Sequence, residues 1–207
     1  MRPKTIATIA YSTSGLFIAS LVALMFSVYV DTPRAAPFNQ NFSLIDDEGR
    51  PVDKSIFEGR PSLVYFGYTH CPEACPTTLY EVSNWLDELG GDGRSLRAVF
   101  FTIDPQRDTR DVMHDYVTAF GQRITGVTGA QDEMTKVANG WFIHAEKEPA
   151  DDGNYHMSHT VDLLLIGADG RLKGLIPYRS DKDAAIAKIR NVLLSKPGAG
   201  TEPRSDL

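Results

Sequence analysis

The sequence predicts an α/β domain built on a mixed sheet and preceded by a long apolar N-terminal segment. Two apolar runs, residues 61–67 and 96–103, have the length and composition of buried strands, and each is followed by a stretch with apolar residues at helical spacing. Later, two short apolar runs flank a Gly-containing turn, and a last helical segment follows. Strand, helix, strand, helix, then a hairpin and a helix is the order of an α/β fold whose sheet contains both parallel and antiparallel neighbours.

The N-terminal segment comes first in the chain. Arg2 and Lys4 precede residues 5–30, which carry no charge, and residues 16–26 are strongly apolar. A membrane-spanning helix needs about 20 apolar residues, whereas the apolar part of a cleaved signal is about 7–15. Asp31, Pro33 and Arg34 also intervene before the small residues Ala35 and Ala36 that a signal cleavage would use. The expectation is an uncleaved anchor over residues 1–30, one transmembrane helix. The positive flank places its N-terminus in the cytoplasm. The rest of the chain then lies on the periplasmic, extracytoplasmic side of the inner (cytoplasmic) membrane. Residues 31–37 read as a linker, residues 38–196 suit one domain, and residues 197–207, rich in Pro, Gly and charge, read as a disordered tail. The net charge of −6 gives no argument for nucleic-acid binding.

Within the domain, residues 42–45 and 51–52 flank Asp46-Asp47-Glu48-Gly49-Arg50, a hairpin signal. Residues 61–67 are the first buried strand. Leu79, Val82, Trp85, Leu86 and Leu89 mark a helix over residues 77–89. Residues 96–103 are a second buried strand, ended by Asp104-Pro105. Residues 111–120 read as a helix, 124–127 as a short strand and 131–139 as a helix. Residues 145–154 read as a polar loop. A strand over 161–166, a turn over 168–171 and a partner strand over 172–176 lead to a final helix over 181–194, with Ser180 as its expected N-cap and Asp183 at the third helical position.

The chemistry centres on the only two cysteines, Cys71 and Cys75, in Thr69-His70-Cys71-Pro72-Glu73-Ala74-Cys75-Pro76. They fall between a strand's carboxyl end and a helix start, where α/β sheets place their sites. Helix N-terminal N–H groups and the helix dipole favour thiolate there. Thiolates bind soft ions such as Cu(I) and are the nucleophiles of disulfide exchange. Export permits the pair to oxidise reversibly. The spacing is one residue wider than that of a C-x-x-C redox pair, so two readings stand: a dithiol oxidoreductase, or a soft-metal site completed by another ligand. Five histidines are available for that ligand, His70, His114, His144, His156 and His159, and spacing does not choose among them.

Four segments in order resemble the Sco/SenC family of copper proteins. These are Tyr65-Phe66-Gly67-Tyr68-Thr69-His70-Cys71-Pro72-Glu73-Ala74-Cys75-Pro76-Thr77, then Asp104-Pro105-Gln106-Arg107-Asp108-Thr109, then Gly126-Val127-Thr128-Gly129, and finally Ser158-His159-Thr160 with the apolar strand and Gly167-Ala168-Asp169-Gly170 after it. The resemblance covers roughly residues 38–195. It implies a thioredoxin-like fold with an extra N-terminal β-hairpin. It implies copper, as Cu(I) or Cu(II), held by Cys71, Cys75 and His159. It further implies a metallochaperone that delivers copper to the copper centre in subunit II of cytochrome c oxidase or another copper protein, or keeps that subunit's cysteines reduced. A thioredoxin-like reductant is a further implied partner. Three features depart from the family pattern: Ser158 stands where Asp is usual, Asp162 interrupts an apolar strand, and His156 and Met157 are two more potential copper ligands close by. Asp104 reads as ending its strand or bonding the loop near the cysteines. Arg107 and Asp108 read as pairing with each other or capping the next helix. The rival function is a thiol–disulfide oxidoreductase acting on exported proteins through Cys71 and Cys75 alone. A peroxide-reducing thiol is disfavoured because no arginine stands near Cys71 in the local sequence.

Overall fold

The computed structural model describes residues 38–150 and 153–195. The expected anchor (1–30), linker (31–37) and tail (197–207) lie outside them. Among the described residues no helix is long and apolar enough to cross a membrane.

The first elements are β1 (Leu44–Asp46) and β2 (Pro51–Val52), an antiparallel hairpin. Its turn places Gly49 at φ 86°, a conformation that needs no Cβ. After a 3-10 turn at Lys54–Phe57 comes β3 (Ser62–Gly67), buried at all six positions. Burial on both faces is what a central strand flanked by helices requires, and it explains the unbroken apolar run. Helix α1 (Ala74–Gly93) follows, then β4 (Arg97–Thr102), α2 (Arg110–Thr118), β5 (Ile124–Thr128) and α3 (Gln131–Gly140). The chain continues through β6 (Ala145–Pro149), β7 (Tyr155–His159), β8 (Leu163–Ile166), β9 (Leu172–Ile176) and α4 (Lys182–Leu194).

Seven strands form one sheet in the order β2-β1-β5-β4-β3-β8-β9. β3, β4 and β5 are parallel, while β1 on β5, β8 on β3 and β9 on β8 are antiparallel. This is the thioredoxin-like arrangement that the resemblance implies, with the β1–β2 hairpin added at the β5 edge. Among the described residues β6 and β7 pair only with each other, as a separate two-stranded sheet. α1 packs beside α4, and α2 lies against β5.

Several elements differ from expectation, each for a physical reason. α1 starts at Ala74 rather than residue 77, so it includes Cys75, and it breaks near its end at Gly90, whose φ is 52°. The expected polar loop of residues 145–154 contains strand β6. Every residue of β6 is exposed, so it carries no apolar alternation to reveal it. β8 begins at Leu163, and Asp162 stands just before it with Oδ1 accepting from the Tyr178 N–H at 3.3 Å. The polar residue therefore does not interrupt the strand. The N-cap of α4 is Asp181, whose carboxylate accepts from the Ala184 N–H at 3.0 Å, while the Ser180 hydroxyl donates to the Pro177 carbonyl.

An aromatic cluster fills the core under the site-bearing strands. Phe57 lies 5.2 Å from Trp141 edge-on and 5.8 Å from Phe101 in a stack, and Phe38 stacks on Trp141 at 5.3 Å. Phe57 is 1% exposed, so its removal leaves a cavity with no solvent access. Phe57→Ala is expected to lower the unfolding free energy by about 3–5 kcal/mol, read as a shifted midpoint at constant slope in chemical denaturation. A midpoint unchanged from wild type would remove Phe57 from the core account.

Candidate metal centre

Beyond Gly67 the chain turns sharply, with the Cys71 N–H donating to the Tyr68 carbonyl at 3.2 Å. Pro72 and Pro76 supply no N–H, and Pro76 occupies the first turn of α1, where that loss costs little. Helix starts leave N–H groups without intrahelical partners. The N-cap residue Glu73 makes no side-chain cap here, and the Cys75 N–H instead donates to Cys71 Sγ at 3.3 Å. The first sulfur thus caps the helix that carries the second.

The two thiols differ in their surroundings. Cys71 is half-buried and Cys75 fully buried, and both are free. The hydrogen bond from the Cys75 thiol pulls Cys71 far below the ordinary thiol range. Partial burial opposes this, while the N–H groups of Cys75 and Glu73 add to the lowering. Burial pushes Cys75 well up, and the neighbouring Cys71 sulfur adds to that rise. Tyr65 donates its hydroxyl to Cys75 Sγ at 3.7 Å, and its own phenol is raised first by burial and then by Cys75.

His159, at the end of β7, brings Nε2 to 3.8 Å from Cys75 Sγ. Its Nδ1 lies 2.8 Å from the Thr160 carbonyl, which can only accept. Nδ1 therefore carries the proton and Nε2 presents its lone pair toward the sulfurs, the arrangement a metal-binding imidazole needs. Its ring stands edge-on to Tyr68 at 5.8 Å and Tyr65 at 6.3 Å. Among the described residues, Cys71, Cys75 and His159 are the one group of three such side chains whose ligand atoms lie within 4.8 Å of one another.

The other histidines are placed elsewhere. His70 adjoins Cys71, yet its Nδ1 lies 3.0 Å from Thr69 Oγ1. His114 meets Asp47 at 3.1 Å, and His144 lies 3.9 Å from Glu146. His156 points to solvent from β7, and Met157 is buried beside a cavity of about 290 Å³ that Met134 and Ile103 also line.

Two supporting residues were not legible in the sequence. A Cβ at Gly67 would lie 2.6 Å from Cys75 Sγ and 2.9 Å from Phe100, so only glycine admits the buried sulfur there. Asp108, 0% exposed, accepts from the Thr69 N–H at 3.0 Å and from the hydroxyls of Thr69 and Thr102, each at 2.6 Å. It ties the loop before the cysteines to the end of β4. Asp108 therefore neither pairs with Arg107 nor caps α2, whose N-cap is Thr109. Arg107 pairs with Asp104, and Asp104 also accepts from Tyr155 rather than from the cysteine loop.

Comparison with known proteins places these features in a family. A family model, SCO1/SenC, matches residues 30–194. The human mitochondrial SCO1 homolog is 37% identical over 151 residues, covering 72% of this chain and 50% of that one. A SCO2-like protein of Rickettsia prowazekii is 32% identical over 152 residues, covering 72% and 73%. The copper-bound structure of Bradyrhizobium japonicum ScoI superposes with TM-score 0.69 at 35% identity, over 74% of this chain and 98% of that one. The chain spans about half the length, or less, of several mitochondrial relatives that it matches.

Two measurements check the geometry. Because the Cys71 shift is downward, its thiolate persists as pH falls. Iodoacetamide should modify Cys71 at pH 5 nearly as fast as at pH 7, whereas an ordinary thiol slows about a hundredfold over that interval; ordinary slowing would contradict the capped-thiolate geometry. Gly67→Ala forces the buried sulfur aside and is expected to destabilise the fold by about 1–3 kcal/mol and to weaken metal binding, read by denaturation and by metal titration. Wild-type values in both would show that the approach is not limiting.

Proposed function

The chain belongs to the SCO1/SenC family, and from that premise we propose that it is a membrane-anchored copper-binding protein that serves the assembly of cytochrome c oxidase. In this reading residues 1–30 anchor it, the domain of residues 38–196 lies outside the cytoplasm, and Cys71, Cys75 and His159 hold one copper ion. The observation that carries the reading is the gathering of those three ligand atoms within 4.8 Å, with the imidazole's free nitrogen turned toward the sulfurs. Two thiolates and an imidazole suit Cu(I), and with a further ligand Cu(II). The donor set alone would also suit Zn²⁺; the copper-bound relative supports copper.

Copper is cargo here rather than a resident catalyst. Cys71 enters the site as a thiolate held by the Cys75 N–H. Binding a cation lets the buried Cys75 lose its proton, which its surroundings otherwise oppose. A receiving copper protein such as oxidase subunit II takes the ion by ligand exchange, its own thiolates replacing Cys71, Cys75 and His159 one at a time. Exchange with an external disulfide, which takes up two electrons and the one proton held by Cys75, joins Cys71 and Cys75 as a disulfide; this ends metal binding until a thioredoxin-like reductant restores the reduced pair.

A second reading rests on the asymmetry of the pair. A half-buried, ionised Cys71 beside a buried, protonated Cys75 is an attacking thiol beside a resolving one. It supports reduction of a partner's disulfide: Cys71 attacks and releases one partner thiol, and Cys75 then closes the intramolecular disulfide and releases the other. That chemistry does not need His159.

Copper titration of the reduced protein separates the readings. His159→Ala is expected to change the Cu(II) absorption and paramagnetic resonance spectra while the two sulfurs still bind Cu(I). An unchanged Cu(II) spectrum would sink the three-ligand site. Loss of the protein in cells should lower oxidase activity and be rescued by added copper; rescue by reductant alone would favour the redox reading.

A further inference from the structure

The histidine sits on an element that the main sheet does not hold. β6 and β7 form their own two-stranded sheet, and β6 is exposed along its whole length. Most of the polar side-chain bonds that fasten this hairpin to the domain come from the segment after β4. The Tyr155 hydroxyl lies 2.9 and 3.0 Å from the two carboxylate oxygens of Asp104, which is 0% exposed. The Arg107 Nε donates to the same carboxylate, and its Nη1 donates to the Tyr155 carbonyl at 3.1 Å and to Asn154 Oδ1 at 3.2 Å. The guanidinium lies 3.7 Å from the Tyr155 ring centre and 5.8 Å from that of Tyr68, the ring that meets His159 edge-on. Lys147, on β6, adds a bond to Gln106 at 2.7 Å.

We infer that Arg107, with Asp104 and Tyr155, is a latch that fastens the histidine-bearing hairpin to the domain and so positions His159 over the two sulfurs. A buried carboxylate is costly unless its lone pairs are matched. Asp104 gains one partner from its own segment and another from the hairpin, so it is fully matched only when the hairpin is docked. Arg107 holds both sides at once: its Nε is on Asp104, while its Nη1 and its planar face are on Tyr155. Flat stacking combined with a forked set of donors is a geometry that lysine does not reproduce. Arg107 touches neither sulfur nor His159, so it is a positioning residue. The significance of the position rests on the reading of His159 as a copper ligand; the latch itself does not.

Amide hydrogen exchange on the metal-free full-length chain tests the latch without copper. Arg107→Met and the milder Tyr155→Phe should each speed exchange within β6 and β7 on the order of tenfold or more, and leave β3 and β4 at wild-type rates. Copper titration is the second readout. Both variants should move the Cu(II) spectrum toward that of His159→Ala, and Arg107→Lys should recover part of the difference. Wild-type hairpin exchange in both variants overturns the latch, and so does acceleration spread evenly over the domain. Faster hairpin exchange with an unchanged Cu(II) spectrum overturns the positioning of His159. If Arg107→Met does not fold, Tyr155→Phe, which keeps the ring, decides. A wild-type chain that binds no copper fails the copper reading instead, and the exchange result then judges the latch alone.

Discussion

A carboxylate sealed from solvent holds the cysteine loop in place. Asp108 lies at the end of the segment after β4, and its two oxygens take one backbone N–H and two hydroxyls, from Thr69 and Thr102. A buried charge is tolerated only with such partners. The Thr69 hydroxyl gives its proton to Asp108, so the neighbouring His70 Nδ1 acts as donor to Thr69. His70 is thereby turned to the threonine and away from the sulfurs, despite adjoining Cys71 in the chain. The direction of the loop, the start of α1 and the placement of Cys71 beside the Cys75 N–H all follow from that anchor.

Around this fixed loop the two sulfurs acquire different characters without any charged residue supplying the difference. Cys71 takes the place of a capping side chain and gains a helix N–H. Cys75 is set in the first turn of the helix, under Tyr65 and against Gly67, where water does not reach it. One sulfur is ready as thiolate and the other as thiol. A bound cation stabilises both as thiolates, and an oxidant joins them. Metal binding and redox chemistry therefore share one geometry, and whether a cation or an oxidant meets the pair decides between them.

Much of this was legible in the sequence because it is local. The β3 and β4 runs are continuous because both faces of each strand are covered, and the helix after Cys75 shows its buried stripe at Leu79, Val82, Leu86 and Leu89. Other features were hidden by the lack of a pattern. β6 has no buried face and so no alternation, and it read as a loop. Gly67 read as the end of a strand, because the need for a bare backbone comes from a sulfur eight residues later. Asp104 read as a strand end or a bond to the cysteine loop, and Arg107 and Asp108 as a mutual pair or a helix cap. Their partners Tyr155, Thr69 and Thr102 include residues that only folding brings near.

The sequence by itself determined the local frame: two thiols four residues apart, flanked by prolines, between a buried strand and a helix. Short-range sterics and hydrogen bonding suffice to make that a strand-to-helix turn with a lowered thiol. Only the tertiary structure decided that His159, 84 residues from Cys75, presents Nε2 to the pair while the other four histidines face elsewhere. The physical reason is that the position of this histidine depends on long-range docking. The β6–β7 hairpin carries His159 to the cysteine loop, and the buried partners that seat the hairpin and the loop come from residues 104–108, remote in sequence from both.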